Sequence, residues 1–277
     1  MNAYIRFIVI TLFTFSISGC DKTGEYQVFA IKYGELGKAP ATGSVIGATK
    51  TDSIDVAYSI WLLIKPDGKK ILVDAGFIDT ANHCHNYIRP DSALLSMNIS
   101  PQDVSELILT HPHYDHIGGI TLFPNARIWM NQDDFDYFVG PAWEKDGNRI
   151  GLNKQDVTNL LSIKSEGRLK LFRGDDVEFM PGIKAYTGSR HTWENFYLLV
   201  NSNSGKDKVL VASDAVWFYL NLEKELPASI SFDSVAYVNA MKRMKTLIRD
   251  PDLILPGHDN QVFSKFPKVN ERVVRIM

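Results

Sequence analysis

Short apolar runs, closed by turn residues, punctuate the chain from residue 26 onward. Runs at 26–33, 56–64, 70–74, 105–109 and 126–130 have the length and composition of strands. Further runs at 169–172, 177–180, 183–187, 196–200, 208–212 and 253–255 repeat the pattern. Pro66-Asp67-Gly68 joins two of them and predicts a hairpin. Residues 34–52, rich in Gly, Ala, Thr and Ser, are expected to form a loop. Helical spacing predicts helices at 90–98, 131–138, 153–161 and 234–249, and Ser100-Pro101 marks another helix start. In the longest, Val235, Val238, Met241, Met244 and Leu247 or Ile248 form the expected buried face. Strands with interspersed helices, and no linker or low-complexity segment, predict one layered α/β domain with mixed sheets.

The N-terminus has a different pattern. One positive charge precedes an apolar core at 7–17, too short at about 11 residues for a typical spanning helix and suited to a signal peptide. Ile17-Ser18-Gly19-Cys20 resembles a bacterial lipobox, in which Cys20 becomes the lipidated first residue of the mature protein. The alternative is an ordinary signal peptide with an incidental cysteine. The expected organisation is a signal peptide at 1–20, a tether at 21–25 and one domain at 26–277. Such a chain is an exported bacterial lipoprotein, on the periplasmic or cell-surface face of a membrane. With Cys20 acylated, Cys84 is the one remaining thiol.

The net charge of −2 over 277 residues gives no electrostatic reason for a nucleic-acid partner. The distribution of histidine changes the picture more. Thr110-His111-Pro112-His113-Tyr114-Asp115-His116-Ile117-Gly118-Gly119 holds three of the seven histidines and follows the apolar run Leu107-Ile108-Leu109. Buried imidazoles and carboxylates are costly unless paired or bound to metal. His191, Asp214 and His258 likewise follow apolar runs. Together with the opening stretch they offer His111, His113, Asp115, His116, His191, Asp214 and His258. Five nitrogen donors and two carboxylates suit two divalent ions, one carboxylate bridging. A nitrogen-rich set without thiolate favours zinc, with iron or manganese as competitors. Asp74-Ala75-Gly76 ends another run, and Asp74 reads equally as a site residue or a turn carboxylate.

The His-x-His-x-Asp-His motif, with the later His191, Asp214 and His258 in order, resembles the metallo-β-lactamase superfamily from about residue 26 to the end. The resemblance implies an αββα sandwich of two mixed sheets flanked by helices, with the site at one sheet edge. By the same resemblance, His111, His113 and His191 hold the first metal. Asp115, His116 and His258 hold the second, Asp214 bridges, and Asp74 orients a ligand loop. A metal-bridging hydroxide attacks a carbonyl or phosphoryl centre, and Asp115 shuttles a proton toward the leaving group.

Within the superfamily, Tyr58-Ser59-Ile60-Trp61-Leu62-Leu63, Ile71-Leu72-Val73-Asp74-Ala75-Gly76-Phe77, Phe123-Pro124-Asn125-Ala126 and Leu255-Pro256-Gly257-His258-Asp259 resemble the N-acyl homoserine lactonase group. The implied substrate is a small lactone or related ester. A phosphotriester, thioester or β-lactam is the alternative, and a non-catalytic metal-binding lipoprotein is a third reading. The text around the third histidine, Arg190-His191-Thr192-Trp193-Glu194-Asn195, departs from the group's Gly-His-Thr-Pro-Gly-His. The group places a substrate-touching tyrosine three residues after the bridging aspartate. Trp217 stands there, and Tyr219, two residues on, is the candidate replacement, although that shift changes the face of a helix. Trp143, Trp193 and Trp217 read either as walls of an acyl pocket or as packing residues. His83-Cys84-His85 reads as a polar loop in preference to a third metal site, since one short stretch rarely closes a tetrahedral shell.

Overall fold

The computed structural model describes residues 25–78, 84–202 and 208–277. The strands are β1 (Gln27–Pro40), β2 (Ser53–Ile64), β3 (Lys70–Val73), β4 (Val104–Ile108), β5 (Arg127–Asn131) and β6 (Leu169–Phe172), then β7 (Val177–Met180), β8 (Ile183–Tyr186), β9 (Tyr197–Asn201), β10 (Lys208–Ser213), β11 (Ile254–Pro256) and β12 (Val273–Arg275). The helices are α1 (Pro90–Leu95), α2 (Tyr114–Ile117), α3 (Gln132–Val139), α4 (Lys154–Ser165), α5 (Tyr219–Lys224), α6 (Ser234–Leu247) and α7 (Val262–Lys265).

Among the described residues these strands form two mixed sheets, ordered β12-β1-β2-β3-β4-β5-β6 and β11-β10-β9-β8-β7. Alternation along the strands sends Val28, Ala30, Trp61, Leu63 and Val73 into the core shared with Ile183, Leu198 and Val211 of the second sheet. The intervening Phe29, Ile31, Ile60, Leu62 and Leu72 face outward, where Leu94 of α1, Phe135 of α3 and Leu160 of α4 cover them. Tyr237, Met241 and Met244 of α6 pack on the second sheet. Both faces of the central strands are therefore buried, which is why they read as unbroken apolar runs. The αββα sandwich expected from the resemblance is the observed architecture.

Three expectations need correction. The expected loop at 34–52 is largely strand, because β1 continues to Pro40 and pairs with β2 as far as Ser53. Register shifts at Lys32/Gly34 and Glu35/Gly37 break the alternation that would have revealed it. Ser100-Pro101 opens only a single 3-10 turn, Pro101–Asp103, before β4. On α6 the expected Met241, Met244 and Ile248 are buried and Val238 and Leu247 pack half-buried on the core, but Val235 in the first turn is 71 % exposed and Tyr237 and Ala240 complete the face.

Strand direction places the site. Strands β3, β4 and β5 run parallel, as do β10 and β11, so their C-terminal ends gather at one edge of the sandwich. Asp74 follows β3, the His111–His116 stretch follows β4, Asp214 follows β10 and His258 follows β11. Among the described residues no helix is long and apolar enough to cross a membrane. Cys20 and His83 lie outside the described residues.

Candidate metal centre

Seven buried side chains converge at that edge in two groups, His111, His113, His191 and Asp214 in one and Asp115, His116 and His258 in the other. Within each group the potential ligand atoms lie within 4.8 Å of one another. His113 Nδ1 is 2.9 Å from His191 Nε2, and Asp214 Oδ2 is 3.2 Å from the same nitrogen. The other oxygen of Asp214 faces the second group, 3.2 Å from His116 Nε2 and 3.1 Å from His258 Nε2. Asp115 Oδ2 lies 3.5 Å from each of these two nitrogens. Asp214 Oδ2 is also 3.2 Å from His258 Nε2, so this one carboxylate lies between the two groups and touches both.

The imidazoles are oriented by their far nitrogens. Asp74 accepts from His116 Nδ1 at 2.8 Å, from Ser213 Oγ at 2.9 Å and from the Thr110 backbone and hydroxyl at 2.9 Å. His191 Nδ1 donates to the Ile230 carbonyl at 2.8 Å, and His258 Nδ1 to the Ala57 carbonyl at 3.2 Å. These bonds turn Nε2 of His116, His191 and His258 inward, the nitrogen each would offer a metal. Asn195 Oδ1 caps the His191 loop, accepting from His191 N at 2.9 Å and Ser189 Oγ at 2.7 Å. Asp134 of α3 holds the other end of that loop through Thr192 Oγ1, at 2.7 Å, and the Glu194 amide.

The backbone pays part of the cost. Asp74, Arg190 and Ser213 adopt positive φ values of 61°, 56° and 46° where the chain turns out of its strands into the site. Such non-glycine conformations cost about 1–3 kcal/mol each and concentrate at functional sites. Gly257 permits the closest approach: a Cβ there would lie 2.3 Å from Asp214 Oδ1. Gly151, at φ 74°, lies against His113, where a Cβ would meet Cδ2 at 2.7 Å.

The donor chemistry fits divalent cations. His111 Nε2, His116 Nε2 and Asp214 Oδ1 are buried with no hydrogen-bond partner, an arrangement that costs about 1–3 kcal/mol per group unless something binds there. Burial pushes His111 well below the usual histidine range and His113 down to about 3, so both imidazoles are neutral near pH 7. Burial opposes ionisation of Asp214, yet His258 and His116 hold its carboxyl well below the ordinary value. Burial likewise opposes protonation of His116 and His258, yet Asp214 and Asp115 raise both above the ordinary histidine value, so the ionised carboxylates already draw positive charge into the site.

A cavity of about 230 Å³ opens above both groups, walled by Leu36, Val56, Tyr58, Tyr114, Trp217 and Ile230. Trp217 sits in it, its indole N–H donating to Asp214 Oδ2 at 2.7 Å. The other aromatic candidates do not. Tyr219 is buried and donates to the Asp252 carbonyl at 3.1 Å, on a different face of α5. Trp143 packs half-buried against the outer core and donates to the Phe138 carbonyl at 2.6 Å. Trp193 stacks on Tyr137 with ring centres 4.9 Å apart, under the Arg190 guanidinium, which locks the 190–194 loop. His85 is exposed and Cys84 buried, away from the seven ligand candidates. Thr110, Ser213, Asn195 and Asp134 were not singled out from sequence. Thr110 and Ser213 each directly precede a ligand candidate, whereas Asp134 gives no local signal.

A family model described as the metallo-beta-lactamase superfamily matches residues 55–258. An N-acyl homoserine lactonase of Bacillus cereus is 25 % identical over 243 residues, covering 80 % of this chain and 90 % of that protein. A crystal structure of an N-acyl homoserine lactone hydrolase, with the product N-hexanoyl-L-homoserine at its catalytic metal centre, superimposes with a TM-score of 0.70 at 21 % identity, covering 90 % of this chain and 99 % of that one. AidC, a dizinc quorum-quenching lactonase solved with the same class of product, gives 0.66 at 19 % identity, covering 92 % and 95 %.

Proposed function

The chain belongs to the metallo-beta-lactamase superfamily and is a metal-dependent hydrolase, and on that premise we propose that it opens a lactone or closely related carboxylic ester at a two-zinc centre. The observation that carries this reading is Asp214, whose carboxylate lies between the two donor groups, within 3.2 Å of His191 in one and of His116 and His258 in the other, beneath an open, mainly apolar cavity. The lactonase relatives support the substrate class. Zinc suits the thiolate-free set, with iron and manganese as competitors.

His111, His113 and His191 would hold the first ion, Asp115, His116 and His258 the second, and Asp214 would bridge. Two such ions, when bound, bring the pKa of a shared water toward 7 and offset charge growing on the carbonyl oxygen. Asp115 lines the cavity and is positioned to carry a proton toward the departing alkoxide. Trp217 pins Asp214 from the cavity side, while Leu36, Val56 and Ile230 exclude water and accept an apolar acyl chain.

Elemental analysis of purified, zinc-loaded protein should give about two ions per chain. A panel of N-acyl homoserine lactones, esters, thioesters, phosphotriesters and β-lactams should show fastest turnover on a lactone. Metal content near zero sinks the metal assignment, and a phosphotriester or thioester turned over fastest sinks the substrate class. Asp214→Ala should abolish turnover with the fold retained, and full activity would remove the bridging role. We also propose, from the Ile17–Cys20 sequence, that the chain is exported and lipid-anchored through Cys20. Radiolabelled palmitate should enter the expressed chain and fail to enter Cys20→Ser.

A further inference from the structure

Ester hydrolysis profits from a preorganised hydrogen-bond donor at the carbonyl oxygen, where negative charge develops. The cavity has few. Apart from the imidazoles, the side-chain N–H and O–H groups among its described lining residues belong to Ser44, Tyr58, Tyr114 and Trp217. Lysine, arginine and amide side chains are absent from that lining. The Trp217 indole is committed to Asp214. Ser44 lies in the outer turn after β1, its backbone bonded to Ala41 and Ser229.

The two tyrosines stand differently. Tyr114 lies between His113 and Asp115 in the chain, and its amide donates to the Gly151 carbonyl at 2.8 Å. Tyr58 meets His258 edge-on with ring centres 5.5 Å apart, and the carbonyl of its neighbour Ala57 holds that imidazole. Both rings pack on Phe77, at 5.2 Å for Tyr58 and 5.5 Å for Tyr114. Tyr58 is 9 % exposed and Tyr114 39 %, so Tyr114 is the phenol open to the cavity.

We propose that Tyr114, its ring held edge-on against Phe77, donates a hydrogen bond to the carbonyl oxygen of the bound ester. The inference rests on the ester reading given above. Tyr114 keeps its proton throughout, and the bond strengthens as charge grows on the oxygen. Tyr114 takes the place that Trp217, its N–H turned to Asp214, leaves without a donor. Phenylalanine at position 114 keeps the ring packing and removes only the donor.

The test is steady-state kinetics with N-hexanoyl homoserine lactone on the full-length, zinc-loaded chain, with metal content measured for each variant. Tyr114→Phe should lower kcat about 100-fold, as expected for loss of one oxyanion donor, with KM within about threefold and metal content unchanged. Wild-type kcat in Tyr114→Phe overturns the proposal. So does a loss carried by KM alone, which marks a packing role, or by lost metal, which marks damage to the flanking ligands. If the wild type spares lactones but cleaves another panel member, the lactone reading fails alone, and the same comparison on that substrate decides the tyrosine. A chain inert to the whole panel overturns both.

Discussion

Asp74→Asn isolates what a single buried carboxylate does for the metal centre. Asp74 is fully buried and takes four donors, the Thr110 amide and hydroxyl, Ser213 Oγ and His116 Nδ1. Asparagine has the same shape and tolerates the φ of 61° found here, so the backbone is not the variable. An amide offers only one accepting side. If its oxygen stays with Thr110, its NH2 faces His116 Nδ1 across 2.8 Å, and two donors oppose each other. The imidazole must then move its proton to Nε2, the nitrogen aimed at Asp115 and Asp214. If the amide flips, the Thr110 amide is left buried and unpaired, at about 1–3 kcal/mol. Loss of such an orienting partner typically weakens metal binding 10–100-fold, about 1.4–2.7 kcal/mol. Because His116 belongs to one group only, the loss should fall on one ion. Zinc titration against a competing chelator should show one site at wild-type affinity and one weakened, with kcat reduced in step. Two sites of unchanged affinity would refute the argument that Asp74 sets the His116 tautomer.

Other outcomes follow from the same structure. Gly257→Ala places a Cβ 2.3 Å from Asp214 Oδ1 and 2.9 Å from the Ser213 carbonyl carbon, so the carboxylate must move. Turnover should fall by about 100-fold with loss of bound zinc, and normal values for both would contradict the close approach. Asp156 is buried near the start of α4 with one oxygen unpartnered, and burial raises its pKa from 3.8 to about 6. Its folded value lies above its unfolded one, so stability falls as pH rises from about 4 to 6 and is level above that. Asp156→Asn should therefore gain stability at pH 8, with about 3 kcal/mol as upper bound and about 1–2 after solvent screening, and none at pH 3.5. Urea melts at both pH values check this, and a gain of equal size at both would remove burial of charge as its cause. Chelation should lower Tm reversibly, since zinc at 100 times its Kd stabilises the folded state by about 2.7 kcal/mol per site. An unchanged Tm in calorimetry would mean that the buried, unpartnered Nε2 atoms of His111 and His116 do not bind the ion.

The ligand candidates were legible because their chemistry conflicts with their setting. Imidazoles and carboxylates that end apolar strands have few explanations other than metal. The strands were legible for the complementary reason: burial on both faces leaves an unbroken apolar run, as at Ile60 to Leu63. What failed depended on information that a linear pattern does not carry. The outer half of β1 was hidden by two register shifts, which reset the alternation. On α6 only Val235 departs from the expected face, lying exposed in the first turn beside the Asp233 cap, while the Tyr237 hydroxyl is turned inward to accept from the Trp217 amide at 3.1 Å. Tyr219 failed as a substrate residue because the first turn of α5 directs its phenol toward Asp252. No local pattern joins Asp134 to the His191 loop, since the bond spans 58 positions.

His111, His113, Asp115 and His116 follow a strand of the first sheet, whereas His191, Asp214 and His258 follow strands of the second. Ions held by both groups would therefore cross-link the sheets. The polar network already does so without them, because Asp74 of the first sheet accepts from Ser213 Oγ of the second at 2.9 Å. This bond, and the shared core around Trp61, fix the separation of the two strand ends before any ion arrives. The ligand geometry is thus a property of the sandwich, and a change in the cavity wall need not disturb it. Leu36 and Ser44 come from the β1–β2 hairpin and Ile230 from the segment between α5 and α6, all outside the strand ends that supply ligands. Tyr114 is the exception. It belongs to the wall, yet its backbone lies between two ligand candidates, so a substitution there can alter substrate handling at a position whose main chain the metal centre already holds in place.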